Sequence, residues 1–308
     1  MPGRVYQPVP NFEGHLLAEL QGGEISRIGR LIHDPAPAEG ESARNVFWHQ
    51  NCWLEPFRLE FSSIGEAANF LRGMQRNWAA CLHTRFRRGA LIASKLPTIS
   101  AKPRPFPWRP GDAPVGAWAL LDEGAMIASA RCSSPFPNGA VEFEQDKEGP
   151  PSRAYLKLWE ALARMRKWPA PGERCLDAGA SPGGWTWALA RLGASALAVD
   201  QAPLEPRVAA LPGVSFLRKD AFALKPEDVG ELDWLFCDVA CYPPKLYDWI
   251  EKWLASGLCR NFVCTIKMQG GAKDADFETP RRFARIPGGS VVHLYHNKHE
   301  LTWMLGYD

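Results

Sequence analysis

No run of 18 or more apolar residues occurs in this 308-residue chain, so nothing in it reads as a membrane-spanning helix. The first 15 residues lack an apolar core followed by a small-residue cleavage motif, and no secretory signal is expected. CxxC pairs are missing too. Eight cysteines stand at 52, 81, 132, 175, 237, 241, 259 and 264, several inside apolar strand-like runs, which reads as reduced structural thiols and not as a zinc site. Internal repeats and low-complexity tracts are also absent. The formal net charge is only +2, too small to announce a polyanionic partner. What remains is a folded cytoplasmic protein, and its length favours two domains over one. The change in pattern described below puts the boundary near residue 150.

Charge distribution says more than the total. Between Ala67 and Gly111 stand Arg72, Arg76, Arg85, Arg87, Arg88, Lys95, Lys102, Arg104 and Arg109, with no Asp or Glu. Trp78, Phe86, Phe106 and Trp108 are interleaved with them. Cations neutralise phosphates and aromatic rings stack on unpaired bases, so this composition suits a nucleic-acid surface. It suits equally a solvated basic face over an aromatic core.

Apolar spacing predicts a helix over 11–20, a short strand at 59–61, and a second helix over 64–74 with Ser62 or Ser63 as its cap. Residues 97–114 contain six prolines and read as a linker or arm. A hairpin is expected from 115–121 and 125–131, and a polar break at 138–151. Thereafter short apolar runs at 175–179, 196–200, 214–218, 234–238 and 261–267 alternate with helical patterns such as 185–192 and 245–254. That grammar predicts a parallel sheet covered by helices. A short helix at 277–285 and a closing antiparallel hairpin, 290–295 with 300–306, complete it.

The segment from Cys175 to Trp185, CLDAGASPGGW, is an apolar strand running into a glycine-rich turn. Such a turn at the carboxyl end of a first strand lets the backbone approach a ligand closely. Pro182 suits the first position of the following helix and Ser181 its cap. Gly179, Gly183 and Gly184 do not have the GxGxxG spacing that seats a dinucleotide pyrophosphate, which opposes a nicotinamide oxidoreductase. Asp200 ends the next strand, where a carboxylate can accept from the ribose hydroxyls of an adenosyl group, and Asp220 ends the third, within reach of an adenine amine. Singly, each is an ordinary polar strand end; in register with the turn, they form a nucleoside site.

DAGASPGGW, Asp177 to Trp185, resembles the cofactor loop of FtsJ-type RNA ribose 2′-O-methyltransferases. The resemblance implies S-adenosylmethionine as cofactor, held by Asp177, Gly179, Ser181, Pro182, Gly183, Gly184, Trp185, Asp200, Asp220 and Asp238. It implies a Rossmann-like seven-stranded α/β methyltransferase sheet over 151–308. It also implies a catalytic tetrad: Lys157 in SRAYLKLWEA, Asp238 in CDVA, Lys267 in TIKM and Glu300 in HELTWM. Further likeness in PSRAYLKL, ASPGGWTW, WLASGLCR and LYHNKHELT points to members that modify large-subunit (23S) ribosomal RNA. VGAWALLDEGAMIASARCSSPFPNGA is similar to the segment that joins a THUMP module to the catalytic domain in those members. Residues 1–150 are then expected to form a smaller α+β, reduced ferredoxin-like and THUMP-like RNA-binding region. No metal or membrane partner is implied.

A ribose hydroxyl is a poor nucleophile at neutral pH, so the enzyme must orient it and manage one proton. Two readings of Lys267 stay open: a base, which needs a pKa well below the ordinary 10.4 or so, or an ammonium that stabilises the developing alkoxide. His293, His296 and His299 recur every third residue, but strand geometry does not bring all three to one face. Base methylation is disfavoured because Pro243 and Pro244 lie too far past Asp238 for an Asp-Pro-Pro-aromatic motif. An RNA-binding factor that keeps the fold without catalysis is the remaining alternative.

Overall fold

The computed structural model describes residues 1–36 and 45–307. Contacts divide the chain into two units, Met1–Arg104 with Pro110–Glu142, and Pro105–Arg109 with Phe143–Asp308.

Among the described residues, the first unit contains two four-stranded sheets. One is antiparallel, built from β1 (Arg4–Pro8), β2 (Ser26–Ile28), β3 (Leu31–Asp34) and β4 (His49–Trp53) in the order β2-β3-β1-β4, with helix α1 (Glu13–Glu19) after β1. Sequence pattern does not announce these strands, because three to five residues as polar as HQNCW carry almost no alternation. The other comprises β5 (Phe57–Glu60), β6 (Trp78–Ala80), β7 (Gly116–Leu120) and β8 (Ala125–Ser129), in the order β5-β8-β7-β6. Helices α2 (Ile64–Met74) and α3 (Phe86–Ala93) belong to it. The Ser63 hydroxyl accepts from the Glu66 N–H at 3.1 Å, and the Glu66 carboxylate accepts from the Ser62 N–H at 2.8 Å. This reciprocal cap starts α2 where the sequence places it. Ala67, Ala68 and Leu71 then pack in a core with Trp118 and Met126.

The second unit is a seven-stranded sheet. Its strands are β9 (Arg174–Ala178), β10 (Ser195–Asp200), β11 (Val214–Arg218), β12 (Leu232–Cys237), β13 (Cys259–Lys267), β14 (Ser290–Val292) and β15 (Glu300–Gly306). Counted within the unit, they lie in the order third, second, first, fourth, fifth, seventh, sixth. β9 to β13 run parallel, and β15 is antiparallel to both neighbours. β12 is buried along nearly its whole length, as expected of a central strand with both faces covered. Helices α4 (Tyr155–Met165), α5 (Gly184–Arg191), α6 (Pro206–Ala209), α7 (Pro226–Val229), α8 (Pro243–Ser256) and α9 (Glu278–Ala284) connect and cover the strands. From β9 the chain turns to β10 on one side, while β12 lies on the other. A crevice opens at the carboxyl ends of strands where order reverses in this way, and ligands of open α/β sheets bind there.

Two local expectations need correction. Helix α5 begins at Gly184 with Gly183 as its cap residue, so Pro182 and Ser181 lie before the helix. The Ser181 hydroxyl donates to the Pro203 carbonyl at 2.9 Å instead of capping. Gly183, at φ +117°, makes the turn into the helix and leaves no room for an earlier start. Nor is all of the proline-rich stretch a free arm. Residues 105–109 pack with the second unit because Phe106 stacks on Trp159, with centroids 4.9 Å apart and planes within 10°. Phe106 also meets Phe143 and Trp168 edge-on, and the Arg109 guanidinium lies over Trp168 at 5.1 Å. Truncating a half-buried ring in such a cluster costs about 2 kcal/mol. Phe106→Ala is therefore expected to lower the urea midpoint of the second unit's transition, whereas a free arm would leave it unchanged.

Candidate active site

Helix α4 ends its first turn with Lys157, a lysine that is mostly buried. Its Nζ donates to both oxygens of Asp238, at 3.1 and 3.0 Å, and to Glu300 Oε1 at 2.9 Å. Lys267 completes the set, donating to Asp238 Oδ1 at 2.5 Å and to Glu300 Oε2 at 3.0 Å. All four side chains are between 10 and 20% exposed. Each carboxylate is bridged by both ammonium groups, so no charge in the pocket is left alone.

The sheet explains the meeting. Lys267 and Glu300 are direct register partners of the antiparallel β13–β15 pair, which puts both side chains on one face. Asp238 follows β12, and its N–H donates to the Ala178 carbonyl at 3.1 Å, tying it to the end of β9. Thr265, two residues before Lys267 on the same strand face, donates its hydroxyl to Asp238 Oδ1 at 2.6 Å. Sequence reasoning overlooks Thr265, although the period of two along TIK marks it.

Burial by itself would raise the Asp238 and Glu300 carboxyls; the two lysines outweigh it and hold both below the usual carboxylate range. Burial by itself would lower Lys267; Asp238 and Glu300 outweigh it and hold the ammonium above its ordinary value. The direction opposes the depression that a lysine base requires. At neutral pH the pocket contains two carboxylates and the Lys267 ammonium.

The glycine-rich turn sits beside this cluster. Gly179 has φ +80°, and a Cβ there would come within 2.7 Å of the Val239 side chain and 2.9 Å of its backbone nitrogen, so only glycine fits. Gly183 is likewise closed, by Val208. Asp177 is fully buried: Oδ2 accepts from the Thr186 hydroxyl at 2.6 Å, while Oδ1 has no hydrogen-bond partner in the protein. Burial pushes its carboxyl up to about 7. Asp200 closes the turn by accepting from the N–H groups of Ser181, at 3.0 Å, and Ala202, at 2.8 Å. Asp220 caps a short turn through the Phe222 N–H at 3.0 Å. Pro182 accepts the Glu205 N–H at 3.0 Å. Gly184 begins α5, and Trp185 is buried with its indole N–H donated to the Ala154 carbonyl at 2.9 Å. Trp185 thus braces the turn against the chain leading into α4.

His293 is also placed. Burial pushes its pKa down to about 4, so the ring is neutral, and a ring nitrogen donates to the Lys298 carbonyl at 2.9 Å.

A mixed sheet with this strand order, a glycine turn after its first strand and a carboxylate after its fourth define a Rossmann-like methyltransferase, and residues 150–269 match the FtsJ-like methyltransferase family. "Ribosomal RNA large subunit methyltransferase M" of Xanthomonas oryzae pv. oryzae (strain KACC10331 / KXO85) is 32% identical over 300 residues, which cover 93% of this chain and 78% of that protein. Its counterpart in strain MAFF 311018 is 36% identical over 300 residues with the same coverage. The protein of that name in Halorhodospira halophila is 36% identical over 175 residues, 54% of this chain and 50% of its own length. The chain belongs to the ribosomal RNA large subunit methyltransferase M family.

S-adenosylmethionine is the cofactor of this class, and the turn fits it. Gly179 and Gly183 allow close approach, and Asp177 presents a buried oxygen that needs a donor such as the cofactor's ammonium. With a carboxyl at about 7, cofactor affinity should fall ~tenfold per pH unit below pH 7. Asp177→Asn should bind weakly with no such slope, measured by isothermal titration across pH 5–8. An unchanged slope in the variant would remove Asp177 from cofactor binding.

Proposed function

We propose that the chain is an S-adenosylmethionine-dependent methyltransferase acting on a ribose 2′-hydroxyl of 23S ribosomal RNA, in the cytoplasm. The observation that carries the ribose reading is the four-membered cluster of Lys157, Asp238, Lys267 and Glu300. A base amine or ring carbon needs other chemistry, whereas a hydroxyl needs a donor and an acceptor side by side. Membership in a family whose relatives are named for large-subunit ribosomal RNA supports the substrate. The basic run 67–104 supports RNA contact by the first unit, with Arg87 and Phe86 exposed on α3. Among the described residues, no helix is long and apolar enough to cross a membrane.

When bound, S-adenosylmethionine supplies an electrophilic methyl on a sulfonium. Asp177, Gly179, Gly183 and the Asp200-closed turn hold it, and the Ala178–Asp238 hydrogen bond keeps that turn in register with the cluster. The Lys267 ammonium donates to the 2′-oxygen and so fixes that oxygen in line with the methyl. Asp238 or Glu300 accepts from the hydroxyl hydrogen and so aims an oxygen lone pair. As the oxygen–carbon bond forms and the methyl–sulfur bond breaks to leave a neutral thioether, the oxygen becomes strongly acidic and its proton passes by way of the carboxylate to water. Lys157 keeps both carboxylates ionised and in place, and Thr265 fixes the orientation of Asp238. The catalytic contribution is alignment and electrostatics, and a strong base is unnecessary.

The test is to incubate the protein with methyl-labelled cofactor and unmodified 23S ribosomal RNA and to map the product. A single ribose 2′-O-methyl group is expected. Asp238→Ala and Lys267→Ala should each lower turnover ~100-fold or more while the cofactor still binds. Label on a base would refute the ribose reading, and wild-type turnover in both variants would refute the cluster.

A further inference from the structure

Helix α4 carries, besides Lys157, an acidic side chain whose place is not explained by the chemistry above. Lys157, Glu160 and Arg164 lie at i, i+3 and i+7, on one stripe of a helix that is otherwise apolar and buried. Glu160 has no solvent exposure. Its Oε1 accepts from the Tyr295 N–H at 2.9 Å and from Arg164 Nε at 3.1 Å, and its Oε2 accepts from the His296 N–H at 3.0 Å. Both carboxylate oxygens are thus spent on adjacent backbone amides of the segment that leads into β15.

That segment is fastened inward from there. The Asn297 N–H donates to the Leu294 carbonyl at 3.0 Å, and His293 donates to the Lys298 carbonyl. Asn297 Nδ2 donates to the Glu300 carbonyl at 3.0 Å and to the Thr302 hydroxyl at 3.1 Å. The Lys298 N–H points at Glu300 Oε1 from 3.5 Å, the same oxygen that Lys157 holds at 2.9 Å. One helix therefore grips Glu300 twice, directly through Lys157 and indirectly through Glu160 and the turn.

We infer that Glu160 is a positioning residue for catalysis: by clamping the Tyr295 and His296 amides it sets the turn 293–299 and, through it, the place of the Glu300 carboxylate between the two lysines. The inference rests on the ribose methyltransferase reading. An ordinary buried ion pair with Arg164 would use one oxygen and leave the turn to itself. Here an apolar residue at 160 would strand two backbone donors, and a glutamine can accept from only one of them, because its amide NH2 faces the other.

The test uses the full chain with Glu160→Gln. Amide exchange at Tyr295 and His296 should accelerate in the variant, with cofactor affinity unchanged and kcat lowered about tenfold. Because the effect passes through Glu300, adding Glu160→Gln to Glu300→Gln should lower kcat by less than about twofold further. A merely structural role would make the two losses multiply. Wild-type kcat in Glu160→Gln, unaltered exchange at the two amides, or multiplicative losses would each overturn the inference. If Glu160→Gln does not fold, Asn297→Ala releases the same turn from the other side. It should lower kcat and show the same non-additivity with Glu300→Gln, and wild-type turnover in it would overturn the inference equally. If the wild-type protein methylates no ribose, the functional reading fails, and amide exchange alone still decides whether Glu160 clamps the turn.

Discussion

Two ammonium groups and two carboxylates shut into one pocket form the interaction on which the second unit is organised. Breaking such a set by removing one member leaves an unpaired buried charge, which costs far more than the intact set contributes. The four side chains come from α4, the end of β12, the end of β13 and the start of β15, so they can meet only when the helix, the parallel core and the closing antiparallel strand are all in place. The cluster marks correct assembly of the sheet as well as the proposed reactive centre. Its charges also set its pH window. Asp238 and Glu300 are held low, so their contribution to stability is full above about pH 4, the unfolded value, and is lost as pH falls through their folded values. Lys267 is held high, so its contribution is full below about pH 10.4 and is lost as pH rises through its folded value. Between those limits Asp238, Glu300 and Lys267 keep one charge state.

The same electrostatics decide what kind of catalyst the pocket is. A lysine serves as a base at neutral pH only where burial or a neighbouring cation outweighs its anions. Around Lys267 the anions prevail: Asp238 and Glu300 are both within hydrogen-bond distance. In the proposed reaction such a pocket would orient and stabilise without drawing the proton off first. The glycine turn and the cluster are brought together by one short connection, the Ala178–Asp238 hydrogen bond between the ends of β9 and β12, which in the proposed reaction would set cofactor against nucleophile. Gly179 keeps that junction free of side chain, since any Cβ would strike Val239.

Much of the second unit is legible in its sequence because parallel strands buried on both faces leave apolar runs that stand out from the helices between them. CLDA, LAVD and LFCD can be found by eye, and the cofactor turn follows from the glycines after the first. The tetrad is a different matter. Lys157, Asp238, Lys267 and Glu300 span more than half of the unit's length, and only resemblance to a family singles them out, since each alone passes for a surface charge. Glu160 and Thr265 stayed hidden for a related reason: their partners are backbone amides or a residue far along the chain, and hydrogen bonds of that kind leave no periodic trace. In the first unit, β1 to β4 escape because strands of three to five mixed residues do not alternate. Phe106 escapes because its prolines announce a linker, while ring contacts with Trp159, Phe143 and Trp168 hold that stretch in the second unit.

The central claim is that the cluster keeps Lys267 an ammonium at working pH. Titration of the Lys267 side-chain nitrogen by 15N nuclear magnetic resonance, in protein with labelled lysine and assigned through Lys267→Arg, measures this directly. A single charged state is expected across neutral pH, with deprotonation only above the ordinary lysine value of about 10.4. Deprotonation near pH 7 would contradict it and restore Lys267 as the base.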